Sequence, residues 1–161
     1  MIRPWALMLK QMGVVVATER MSEFYGNVAI LSGLLAIFAA TEFIDPPYTT
    51  ESTMASISAL AGAVAFSLLL GSVVECILMS NTVKKMSSDA AFIAFLLGER
   101  TGVAYSTYGF IAGCVFLTVE IAAITWTTHS SFVSLWGTAA MVLVLLGLLA
   151  RFLRLSSYEN A

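Results

Sequence analysis

Apolar residues run almost unbroken through four stretches of this chain, and polar residues gather between them. The stretches are about 26–44, 54–79, 103–126 and 131–153. Each is close to the ~20 residues a helix needs to cross a bilayer. Ahead of them the pattern is different. Trp5, Met8, Leu9, Met12, Val15 and Val16 recur at spacings of three and four, which makes one apolar stripe. Lys10, Glu19, Arg20 and Glu23 are too many charges for a span. Residues 1–25 therefore read as an N-terminal amphipathic helix, either lying on the inner membrane surface or extending span 1 inward. A short apolar run, AAFIAFLL, follows Ser88-Asp89, either of which can cap it. It is too short to span. The expected fold is all-α: a single four-span transmembrane bundle over residues 1–161.

Composition strengthens the membrane reading. The chain is 59% hydrophobic and 11% charged, roughly half the charged fraction of a soluble domain. The distribution of charge says more than the net −2. All eight Lys and Arg residues lie in the N-terminal segment, the second loop, or the C-terminal tail with the last turn of span 4. The first loop (45–53) and the third (127–130) have none. The positive-inside rule then places both termini and the second loop on the cytoplasmic or equivalent inner side. The N-terminus lacks the small-residue cleavage site of a secretory signal.

Little in the chain suggests catalysis. There is no nucleotide loop, nucleophile motif, haem pair or HExxH, and no basic run for nucleic acid. The expectation is a protein that is not an enzyme, holds no cofactor and binds no nucleic acid. Cys76 and Cys114 read as small buried residues, and the single His129 as weak evidence for a metal. Glu75, about a turn from the inner end of span 2, could reach the headgroups or pair with Lys84 or Lys85. Gly109 and Gly113 in span 3 have the spacing that lets helices approach closely.

The carboxylates near the outer ends of spans carry the candidate chemistry. An ionisable residue in a span is costly unless it faces protein or water. Glu42 arrives before the apolar run of span 1 has ended. Steps of four and three back from it bring Phe38, Leu35 and Leu31 onto the same helical face, then Asn27. Around the axis of an oligomer, that face would be an acidic ring above a hydrophobic constriction, one recipe for a gated cation pore. The same residues could simply pack, with Glu42 meeting water. Asp45 and Glu51 in the first loop would add to a negative outer mouth. Glu120 in span 3 lies six residues inside Trp126, at a depth near that of Glu42, so the two could communicate.

These residues carry a resemblance. Span 1, AILSGLLAIFAATE followed by Asp45 and Pro46-Pro47, is similar to the pore helix of the Orai family of calcium-release-activated calcium channels. Cys76-Ile77-Leu78 with Ser80-Asn81, Glu99-Arg100, and VFLTVEIAAI with Glu120 resemble later segments of that family in the same order. So does the aromatic and arginine end of span 4. The match covers about residues 27–155. It is divergent: Glu42 falls one residue late, Asn27 and Glu23 stand where the family has a basic inner pore, and no C-terminal extension follows span 4.

The resemblance implies an oligomeric Ca²⁺ channel subunit with span 1 lining the pore. Glu42 would be the selectivity residue, binding Ca²⁺ between subunits with the oxygen ligands that a hard ion prefers. Asp45 would lie in the outer mouth. With the face described above, Phe38, Leu35 and Leu31 become a hydrophobic gate, and Glu120 supports span 1 from behind. The alternative is a structural or accessory subunit of a larger membrane complex of the respiratory, photosynthetic or ATP synthase type. Its partners would then be neighbouring membrane subunits and lipid, not further copies of this chain.

Overall fold

The computed structural model describes residues 2–44, 53–129, 132, 134–140, 142, 143, 146 and 147. Among them every regular element is helical. The elements are α1 (Ile2–Ile44), α2 (Thr53–Val83), α3 (Asp89–Gly98) and α4 (Arg100–Thr128). Three of these helices are long and apolar enough to cross a membrane. About half of the fourth expected span, 131–153, falls outside the described residues; those that are described in it are helical.

α2 is the central helix, with α1 packed on one side and α4 on the other, and α1 and α4 touch little. Its buried residues show how. Ala55, Ser58, Gly62, Ala65, Leu69, Ser72, Cys76, Met79 and Val83 are buried in alternating steps of three and four. That is a heptad seam in which small residues predominate. Lipid is as apolar as leucine, so close approach of small-residue faces, not hydrophobicity, brings helices together there. Gly113 on α4 fits the same logic: a Cβ on it would lie 2.6 Å from Leu69 Cγ. Gly109, the other member of the pair, is looser, with its nearest neighbour at 3.7 Å.

The helices are longer than a bilayer requires. α2 has 31 residues, about 46 Å at the α-helical rise, against about 30 Å of hydrocarbon. The surplus at the α3 end is occupied by a different kind of packing. Leu9, Met21, Tyr25, Cys76, Met79, Val83, Phe92, Phe95 and Leu96 form one buried cluster. Ser88 caps α3 there, its side chain accepting from the Ala91 amide.

α1 reaches this cluster by breaking at Gly13, where φ is +81° and ψ 170°. Only glycine adopts that backbone at little cost. The Trp5 and Phe24 rings lie 5.8 Å apart; a continuous helix would hold them about 28 Å apart. Residues before Gly13 therefore fold back against those after it. Of the two expectations for this segment, a straight inward extension of span 1 applies only after Gly13.

Candidate functional site

Of the carboxylates singled out from sequence, Glu42 and Glu120 belong to one level of the bundle. Ala39, Ala65 and Leu117 form a small buried cluster joining α1, α2 and α4. Three residues further toward the 45–52 connection lie Glu42 on α1, Gly62 on α2 and Glu120 on α4. The two carboxylate-bearing positions thus share a depth, about 9 Å inside Trp126 along α4. Glu42 is in the last turn of α1, and its side chain lies outside the described residues, as do Asp45 and Glu51.

Glu120 is 1% exposed. Its carboxylate lies against Gly62, so closely that a Cβ on that glycine would collide with Oε1. Gly62 is the notch that admits the acid between α2 and α4. The buried Ser58 lies one turn away on the same α2 seam.

The expected gate face is divided. Leu31 and Phe38 are 51% and 64% exposed and point away from α2 and α4. Leu35 is half-buried and packs against the Ala39, Ala65 and Leu117 cluster. Leu34, 52% exposed, shares the outward face in its place. With Asn27 and Thr41, also exposed, these residues make one continuous strip along α1.

Inward of this level the helices are tied by hydroxyls. Ser32 donates to Ser72 (3.3 Å), and Ser72 donates to the Ser106 carbonyl (2.7 Å), linking α1, α2 and α4. Ser22 and Ser80 share a hydrogen bond of 2.8 Å. Glu75 does not reach Lys84 or Lys85. It turns to α4, where its carboxylate and that of Glu99 flank Gly102. At the other end Trp126 donates to Thr138, and Ser134 donates to the Thr125 carbonyl, so the helical residues after 132 meet α4.

Two features escaped the sequence reading. The serine ties had no signal beyond their place on the α2 seam. The groove between α1 and α2, lined by Glu19, Glu23, Asn27 and Lys84 among others, joins residues about 60 positions apart, and no local pattern marks it. Among the described residues no cluster of three or more His, Cys, Asp or Glu could hold a metal. Comparison with known proteins returned no matching family model, no curated relative and no similar solved structure.

Proposed function

We propose that this chain is the four-span subunit of a homo-oligomeric cation channel, with Ca²⁺ as the permeant ion and α1 lining the pore. The observation that carries the reading is the place of α1. It forms one edge of a layer ordered α1, α2, α4, and its outward strip runs from Asn27 through Leu31, Leu34 and Phe38 to the turn that contains Glu42. Copies arranged with that edge inward would line an axis with apolar side chains below a ring of carboxylates. Leu31 and Phe38 would form the constriction, with Leu34 beside them and Leu35 fixing the helix against its neighbours. Glu42 would bind and select the ion, with Asp45 and Glu51 in the outer mouth. Glu120, at the depth of Glu42, would hold α2 and α4 in register behind it.

The test is flux through reconstituted protein. Glu42→Gln is expected to abolish Ca²⁺ selectivity while leaving the assembly intact by mass. Unchanged Ca²⁺ flux in that variant would remove the proposal. Recovery of the native chain at a fixed ratio with unrelated proteins, and never as a homo-oligomer, would favour the structural-subunit alternative.

A further inference from the structure

One seam between α1 and α2 changes character along its length. Near the α3 end it opens as a polar groove of about 850 Å³. Glu19 and Glu23 stand on its α1 wall, and Lys84, the residue that follows α2, stands opposite. Arg20, outside the groove, pairs with Glu23, but Lys84 is not in ion-pair contact with either acid. The opposite charges face a shared space without closing it. The hydrogen-bonded Ser22 and Ser80 line the groove as well.

Further along, the same seam becomes an apolar groove of about 450 Å³, where Gly33, Ile37 and Thr41 face Phe66, Leu70 and Val73. The two grooves are in line: Gly26 and Ile30 belong to the first, Gly33, Ile37 and Thr41 to the second, and these positions share one side of α1 at steps of four and three.

Membrane depth fits this division. Trp126 suits the aromatic belt at one interface. Twenty residues from it along α4, about 30 Å or one hydrocarbon thickness, is Ser106, which is tied through Ser72 to Ser32. Ile30 is just beyond Ser32, so the polar groove begins where the hydrocarbon ends. The stretch from Ile30 to Thr41 is about 16 Å, close to the ~15 Å of one leaflet.

We propose that this seam is a phospholipid site, selective for a zwitterionic headgroup with a primary ammonium, of the phosphatidylethanolamine type. The ammonium is held by Glu19 and Glu23, the phosphate by Lys84, and one acyl chain lies along Gly33 and Ile37. Within the groove two carboxylates stand against one lysine, which disfavours an anionic headgroup, although Arg20 offsets part of the charge of Glu23 from outside. A quaternary ammonium has no N–H to donate and is usually held by aromatic rings, and none lines the polar groove. The site does not depend on the channel reading.

The full-length protein, reconstituted into nanodiscs of equimolar phosphatidylethanolamine, phosphatidylcholine and phosphatidylglycerol with matched acyl chains, is released into the gas phase and its retained lipids counted by native mass spectrometry. Phosphatidylethanolamine should be enriched about three-fold over phosphatidylcholine, the scale of one exposed ion pair. Glu19→Gln with Glu23→Gln should bring the ratio to parity, whereas Lys84→Met should lower retention of both lipids, whose phosphates are alike, and Lys84→Arg should restore it. Gly33→Leu, which fills the apolar groove, should lower retention of all three lipids. Helical circular dichroism establishes that each variant is folded.

Parity in the native protein, a preference for phosphatidylglycerol, or a preference unmoved by the paired glutamine variant would overturn the proposal. Displacement by soluble glycerophosphoethanolamine as effective as by the diacyl lipid would overturn the acyl-chain part. A fall in oligomer mass on Gly33→Leu with no lipid retained by the native protein would instead assign the seam to a second copy of the chain.

Discussion

The two ends of this bundle are packed on opposite plans. Near α3, large side chains point inward: Met21, Tyr25, Phe92 and Leu96 are each at most 2% exposed. In the other half most of the buried residues are small, Ala36, Ala39, Ala55, Ala61 and Ala65, with Leu117 and Glu120 as larger exceptions. Large ones point out there, with Ile30, Ile37, Phe38 and Leu60 each more than 60% exposed. A cluster of bulky apolar residues is stabilised by removing them from water. Small residues inside and large ones outside are what a lipid solvent favours, because association there rests on close packing and hydrogen bonds. The two interiors thus follow different packing rules, and the polar seam between Glu19 and Lys84 lies at the α3 end.

The largest effect that would test this contrast is at Phe92. Phe92→Ala should destabilise the protein by about 3–5 kcal/mol, the usual cost of emptying an aromatic site in a core. Leu60→Ala, on the outward face of α2, should change stability by less than about 0.5 kcal/mol. Thermal or denaturant unfolding in detergent measures both. Equal losses at the two positions would mean that the halves do not differ in their packing.

Gly62 tests the small-residue half. Gly62→Ala drives a methyl into the Glu120 carboxylate and should cost about 1–3 kcal/mol. Adding Glu120→Ala removes the collision, so the double variant should be more stable than the sum of the single losses implies, by about 0.5–3 kcal/mol. Additive losses would separate the two residues.

Gly13 tests how the bulky cluster is closed. Gly13→Ala places a side chain at φ +81° and should cost about 1–3 kcal/mol. The strain is relieved if residues 2–12 detach, so their amide hydrogen exchange should rise while that of α2 stays slow. Unchanged protection at residues 2–12 would contradict the fold-back as a strained contact.

These contrasts also explain what the sequence could reveal. The apolar runs at 54–79 and 103–126 lie within α2 and α4, each helix extending a few residues beyond them. Span 1 read as starting near 26, because Glu19, Arg20 and Glu23 argue against lipid. The helix runs on through them since they lie on its exposed face, with Arg20 and Glu23 paired. The reversal at Gly13 was not legible, because the apolar stripe from Trp5 to Val16 passes straight over it. On α2 the small residues Ser58, Gly62 and Ala65 stand out in the sequence, but the full seam does not. Where every face of a helix is apolar, hydrophobic periodicity carries no contrast, and residue size becomes the informative variable. The direction of Glu75 was hidden for another reason. Its carboxylate lies beside Gly102, and a glycine's capacity to receive a distant side chain leaves no pattern in the sequence.

The central claim is that the outward strip of α1 faces its copies. Oxidative cross-linking between single cysteines tests it directly, in a protein whose Cys76 and Cys114 have been replaced by alanine and which retains its mass in mild detergent. Phe38→Cys should give covalently linked copies in high yield, and Leu60→Cys, on the outward face of α2, should give none. Cross-links through Leu60 with none through Phe38 would contradict the account and place α1 against lipid or an unrelated neighbour.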